Sequence, residues 1–128
     1  MKRFVVAGFM ALAIVAPAGA HHSISAEFDS NRPVTFTGTV TKIEWTNPHI
    51  YTHVAVKEAD GKVVEYKVEG GPPNALYRAG WRKDSLQVGN HFTVDGWLAK
   101  SGAKLANMRS VLLADGRRVL GGSSGGAN

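Results

Sequence analysis

The chain has 128 residues and a formal net charge of +5, and 44% of its residues are hydrophobic while 20% are charged. This mixture is typical of one globular domain and excludes a disordered chain. The absence of cysteine excludes disulfides, thiolate metal sites and cysteine nucleophiles.

Residues 1–20 have the pattern of a cleaved export signal. Lys2 and Arg3 give the positive start, an apolar run follows, and Ala18 and Ala20 are the small residues of a cleavage site, with a cut after Ala18 as the alternative. The run is shorter than the roughly 20 apolar residues that a membrane span needs. Cleavage after Ala20 lowers the charge to +3, and we expect a periplasmic or secreted protein with no membrane span.

The rest of the chain divides into three parts by composition. Residues 21–33 are mostly polar, and we expect a short N-terminal arm that Ile24 and Phe28 pin to the domain. Residues 34–120 contain the strand patterns of the domain. Residues 121–128 are rich in glycine and serine and are expected to form a flexible tail.

Alternation of apolar and polar residues predicts five strands and a short sixth strand. In the first strand the apolar residues occupy even-numbered positions up to Val40 and odd-numbered positions after it. This change indicates a one-residue bulge near Thr41 and Lys42. Gly38 falls among the apolar positions and predicts a bend or a close backbone approach. The predicted strands cover residues 34–45, 50–57, 63–69, 91–99, 106–113 and 117–120.

A short helix is expected between the third and fourth strands, over residues 74–80, with Asn74 as its N-cap and Gly80 as its stop. The order β-β-β-α-β-β is typical of the OB-fold, a partly open Greek-key barrel. We therefore predict a mainly β fold, a small OB-like barrel of five to six strands with one short helix between strands three and four. A small β-sandwich is the alternative.

Several motifs resemble those of a family of small exported bacterial proteins of unknown function. They begin with His-His-Ser at residues 21–23 and include Gly-Thr-Val at residues 38–40 and Trp-Thr-Asn-Pro-His at residues 45–49. Asn-Ala-Leu at residues 74–76 and Ala-Asp-Gly-Arg-Arg at residues 114–118 also match. The resemblance covers essentially the whole mature chain and implies export and an OB-like barrel, but no activity.

Histidines are the main candidates for binding a metal. If cleavage follows Ala20, His21 has a free α-amine beside its own imidazole, and the two chelate one ion. An ordinary α-amine has a pKa of about 7.7–8.0, so it gives up its proton to a metal at modest cost. This arrangement resembles the histidine brace of exported copper proteins, and nitrogen donors suit copper(II). His22 offers a second mode through the amine, a peptide nitrogen and its ring, and His49 is the preferred ligand from the folded domain.

His53 is the second choice of ligand from the domain. Four residues of a strand span about 13 Å, so His49 and His53 cannot bind the same ion if the strand is regular. His91 begins a different strand, and the sequence does not show its distance from the others. The competing interpretation of His21 and His22 is a solvated arm.

The alternative function is metal-free binding of a ligand or protein by a face that contains Trp45, Asn47, Tyr51 and His53. OB barrels bind their ligands on the face of strands two and three. The competing interpretation is that large aromatic side chains such as Trp45 and Trp81 pack in the core or at its rim.

The sequence contains no catalytic motif. A nucleophile elbow is absent, and Glu44 and Asp95 would act as paired acids only if the fold brought them together. We therefore expect a monomeric, non-enzymatic binding module whose partner is a periplasmic protein or a small ligand, and not a nucleic acid.

Overall fold

A computed structural model describes residues 24–122 of the chain. The predicted signal peptide, His21, His22 and residues 123–128 of the predicted tail lie outside the described residues. No helix within residues 24–122 is long and apolar enough to cross a membrane. In chain order the elements are α1 (Ile24–Glu27), β1 (Phe28–Glu44), β2 (Tyr51–Lys57), β3 (Val63–Glu69), α2 (Pro73–Arg78), β4 (His91–Ala99), β5 (Leu105–Leu112) and β6 (Arg118–Leu120).

The six strands form one sheet in the order β3-β2-β1-β4-β5-β6, and neighbours in this order are antiparallel. An additional parallel pairing joins β3 to β5, with Val68 opposite Ala106. This pairing closes a ring of hydrogen bonds through five strands. The prediction of a mainly β fold with a helix between the third and fourth strands is confirmed, and α1 is a second short helix that the sequence did not indicate.

Strand β1 is long because it pairs with two neighbouring strands along different parts of its length. Its first part pairs with β4 and its last part pairs with β2. The register shifts between Val40 and Lys42, which confirms the predicted bulge. The strand begins at Phe28 and not at Val34, because Phe28, in the predicted arm, pairs with Ala99.

Gly38 lies where β1 and its neighbour β2 approach each other closely. A Cβ atom at this position would lie 2.5 Å from the Ala55 carbonyl oxygen and 2.5 Å from the Val54 side chain. The predicted close approach is therefore confirmed, and a larger residue would push the two strands apart.

The core fills the inside of the ring and extends under α2. Trp81 is fully buried, its ring packs edge-on against Phe92 at 6.4 Å, and its Nε1 donates to the Leu120 carbonyl oxygen. Trp81 is thus a core residue. The remaining core side chains are Val40, Ile50, Val54, Val56, Val68, Leu76, Leu86, Phe92, Val94, Met108, Val111 and Leu113.

Helix α2 begins at Pro73, with Pro72 in the N-cap position and no side-chain cap. The prediction that Asn74 caps the helix is wrong. A proline in the first turn already has a helical φ and has no amide hydrogen that would need a cap. Gly80 follows the helix with a φ of 99°, which a glycine adopts easily and which ends the helix as predicted.

Candidate functional site

The corner between β1 and β2 holds His49 against the end of β3. Its Nδ1 lies 3.0 Å from the Gly70 carbonyl oxygen and 3.4 Å from Glu69 Oε1. Ile50 fixes the corner because its backbone N–H donates to the Gly71 carbonyl and its carbonyl accepts from the Gly70 N–H. In the neutral tautomer that donates from Nδ1, the lone pair of the ring is on Nε2.

Glu69 is the buried carboxylate of this corner. Only 1% of its side chain is exposed, and the Tyr51 hydroxyl lies 3.5 Å from Oε2. Burial, followed by the negative charge of Glu69, raises the pKa of Tyr51. Tyr51 therefore stays a neutral phenol that donates towards the carboxylate, and the buried negative charge makes this corner attractive to a cation.

Helix α1 lies at the same end of the ring. The Lys100 backbone N–H donates to the Glu27 carbonyl at 2.9 Å, and Lys100 Nζ donates to the Ser25 carbonyl at 2.6 Å. The negative charge of Glu27 contributes to the raised pKa of Tyr51. Helix α1 is therefore held by Lys100, directly after the end of β4.

His53 belongs to a separate cluster on the outer face of β2, the face opposite the core. Its Nε2 lies 2.8 Å from Glu44 Oε2, and its Nδ1 lies 3.3 Å from Glu65 Oε1. Hydrogen bonds with His53 and with Lys42 lower the pKa of Glu44 from 4.5 to about 2. The Thr41 hydroxyl lies 3.0 Å from the other oxygen of Glu65 and completes the cluster.

Trp45 is on a different side of the corner. Its ring packs against Tyr77 of α2 at 5.8 Å and against Trp81 at 6.4 Å. Trp45 is half-buried at the edge of the core, whereas Asn47 is exposed. The Asn47–Pro48 peptide bond is cis.

Tyr51 and His53 share the outer face of β2. The ammonium group of Lys67 lies 4.0 Å from the centre of the Tyr51 ring. The four residues predicted to bind a ligand are therefore divided, with Trp45 against α2 and with Tyr51 and His53 on the outer face.

The remaining candidate residues are dispersed. His91 is exposed at the start of β4. Asp95 accepts a hydrogen bond from Thr35, which together with Arg118 lowers the pKa of Asp95. Glu44 is at the far end of β1 from Thr35, so the structure does not bring Glu44 and Asp95 together.

The predicted metal ligands from the N-terminus cannot be placed, because His21 and His22 lie outside the described residues. Within residues 24–122, no group of three or more histidine, aspartate or glutamate side chains is arranged to hold a metal ion.

Two buried polar residues beside the corner had no signal in the sequence. Glu69 and Asn107 occupy positions that alternate with the apolar residues of β3 and β5, yet they are 1% and 0% exposed. They are register neighbours in the parallel pairing of these two strands. Alternation along one strand does not show which strands pair, so sequence analysis missed both.

Comparison with known proteins places the chain in a family. No curated protein matches the chain. Residues 10–108, which include the corner and most of the ring, match a family of unknown function (DUF6152). The predicted membership in a family of unknown function is confirmed, and the chain belongs to DUF6152.

Proposed function

We propose that this chain is an exported, non-enzymatic copper(II)-binding module built on an OB-like barrel, in which His21 and His49 hold the ion and His22 assists. The observation that carries the proposal is the surroundings of His49. Its ring is fixed by a backbone carbonyl, a buried carboxylate lies beside it, and α1 lies at the same end of the ring.

The contacts of His49 are consistent with a role as a metal ligand. Histidines that bind metals almost always donate their other ring N–H to a carbonyl or a carboxylate, which orients the ring and raises its basicity. His49 Nδ1 is hydrogen-bonded to the Gly70 carbonyl, and the Glu69 carboxylate lies 3.4 Å from the same nitrogen. Coordination would use Nε2, and 22% of the side chain is exposed to ions from solvent.

The N-terminal histidine is close in sequence to α1, which lies at this end of the ring. Two residues lie between His21 and Ile24, and an extended chain of this length spans at most about 11 Å. Glu27, at the other end of α1, is close enough to Tyr51 to affect its pKa. The amine and imidazole of His21 with the imidazole of His49 supply three nitrogen donors, which suit copper(II).

The fold and the export signal support the rest of the proposal. A ring of five strands with α2 between β3 and β4 is the arrangement expected of an OB-like barrel. The pattern of residues 1–20 supports export, and its cleavage site immediately precedes His21.

Metal-free binding through Trp45, Asn47, Tyr51 and His53 is the alternative. It has less support from the geometry, because Trp45 packs against α2 and both ring nitrogens of His53 contact carboxylates. A ligand that used these four residues together would have to displace those contacts.

A copper(II) titration of the mature protein that begins at His21 tests the proposal. The matched control carries one additional alanine before His21, which keeps every side chain but removes the chelate between amine and imidazole. We expect one-to-one binding by the mature protein and at least about 10-fold weaker binding by the control. Equal binding by both proteins, or no binding by the mature protein, would contradict the proposal.

A further inference from the structure

The interior of the ring is filled at one end and contains a cavity at the other. Near the corner, Trp81 contacts Trp45, and Trp81 and Leu76 are fully buried. Around Val56, at the opposite end of β2, a cavity of about 480 Å³ opens to solvent. It is lined by Val34, Phe36, Val56, Tyr66 and residues 58–60 of the turn between β2 and β3. Its volume is within the range of cavities that bind small molecules.

The wall of this cavity combines two aromatic rings with aliphatic side chains. The rings of Phe36 and Tyr66 lie 4.7 Å apart, centre to centre, and are inclined by 31°. They belong to β1 and β3, which are not neighbours in the sheet, so the contact crosses the interior of the ring. Neither ring is fully buried, and Val34 of the same wall is also partly exposed. An apolar wall that stays accessible favours a ligand with an apolar body.

The turn between β2 and β3 places two carboxylates at the cavity. Glu58 and Asp60 both line it, whereas its lining residues in the described part of the chain include no basic side chain. The turn is fixed, because the Glu58 N–H donates to the Lys62 carbonyl at 2.8 Å and the Lys62 N–H donates to Asp60 Oδ1 at 2.9 Å. Charge complementarity therefore favours a ligand that carries a positive group.

Asp60 is the carboxylate that a ligand can engage. Glu58 already accepts a hydrogen bond from Lys104 Nζ at 2.9 Å, and the same ammonium lies 5.2 Å from the centre of the Tyr66 ring. Asp60 is paired with Lys62 Nζ at 3.8 Å, and both of these side chains are mostly exposed. An ion pair so exposed contributes little, so an ammonium group of a ligand displaces Lys62 at small cost.

We infer that this cavity binds a small organic amine, with its apolar body against Phe36 and Tyr66 and its ammonium group at Asp60. An ammonium has three donors and no acceptor, and its hydrogen bonds to a carboxylate are charge-assisted. A body of one aromatic ring suits a cavity of this volume. The cavity is at the opposite end of β2 from His49, so this site is separate from the proposed metal site and does not need copper(II).

A nuclear magnetic resonance titration of the mature protein with a chelator present tests the inference. It uses three probes of similar size, 2-phenylethylammonium, its neutral analogue 2-phenylethanol and the anion 3-phenylpropionate. We expect the amine to shift the backbone amide signals of Ala59 and Asp60 with a Kd of about 1 mM or tighter. The alcohol should bind at least about threefold more weakly, and the anion more weakly still.

Two aspartates in similar turns provide matched variants for the charge. Asp60 and Asp115 each accept a hydrogen bond at 2.9 Å from the N–H two residues later, but Asp60 lines the cavity and Asp115 lies in the turn before β6. Asp60→Asn should weaken binding of the amine about threefold or more and leave binding of the alcohol unchanged. Asp115→Asn should change neither.

A second pair of variants tests the cavity itself. Val34→Trp fills part of the cavity and should abolish the shifts caused by all three probes. Val88→Trp places the same side chain at an exposed position outside the cavity and should leave the shifts unchanged.

The outcomes separate the charge from the cavity. Equal binding of amine and alcohol, or an equal effect of Asp60→Asn and Asp115→Asn, would overturn the ammonium site. An unchanged Kd in Val34→Trp, or no saturable shift with the amine, would overturn the cavity as a binding site. Because no copper(II) is present, failure of the copper titration would remove the metal site and leave this result standing.

Discussion

Two histidines near the start of β2 have different surroundings. The Nδ1 atom of His49 lies beside a backbone carbonyl and the buried carboxylate of Glu69. His53 lies between the carboxylates of Glu44 and Glu65, one at each ring nitrogen. The first arrangement fixes the ring through one nitrogen beside a carbonyl, as in metal-binding histidines, and the second places a carboxylate at each ring nitrogen. The contacts of a histidine, more than its spacing in the sequence, identify it as a candidate ligand.

Removing the imidazole of His49 or of His53 should give the largest difference between the two clusters. We expect His49→Ala to weaken copper(II) binding by the mature protein about 100-fold, because one of three nitrogen donors is lost. His53→Ala should change the affinity by less than about twofold. Competition titration measures both values, and an equal effect of the two substitutions would remove the distinction between the clusters.

The carboxylates beside each histidine provide the second test. Glu69→Gln keeps the size of the side chain but removes the charge next to His49 Nδ1, and we expect about 10-fold weaker copper(II) binding. Glu65→Gln makes the same change next to His53 and should leave the affinity unchanged. A larger effect at Glu65 than at Glu69 would argue that His53 is the ligand.

The pH dependence of stability tests the His53 cluster. The folded state lowers the pKa of Glu44 from 4.5 to about 2, so its ionised form stabilises the fold. This contribution is complete above pH 4.5 and is lost as the pH falls towards 2. The urea midpoint of the metal-free wild type should therefore approach that of Glu44→Gln between pH 4.5 and 2. A difference between the two proteins that stays constant over this range would refute the assignment.

The smallest expected effect concerns the hydroxyl of Thr41, which contacts Glu65 and the His53 carbonyl. Thr41→Val removes the hydroxyl and keeps a β-branched side chain in the strand. We expect a loss of about 0.5 kcal/mol in the free energy of unfolding, because an exposed hydrogen bond contributes little. Chemical denaturation measures the loss, and copper(II) affinity should not change.

The sequence predicted the strands well because alternation and turn residues are local signals. The parity change after Val40 located the bulge, and Gly38 located the close approach to β2. The start of β1 was missed because its first residues are polar and depend on pairing between Phe28 and Ala99 at the far end of β4.

The site was less predictable than the fold. The sequence identified His49 as a candidate ligand because it lies in the corner between β1 and β2. Its contact with Glu69 depends on how β3 ends beside that corner. Asn107 is brought next to Glu69 by a parallel pairing between strands that are distant in sequence. Such long-range pairings leave no periodic pattern, so these buried polar neighbours become visible only in the folded chain.

Electron paramagnetic resonance of the copper(II)-loaded mature protein tests the central claim most directly. The splitting from bound nitrogen atoms reports how many nitrogens coordinate the ion. We predict a pattern from three nitrogens, the amine and imidazole of His21 and the imidazole of His49, that falls to two in His49→Ala. An identical pattern in both proteins would show that His49 does not bind the metal and would contradict the account.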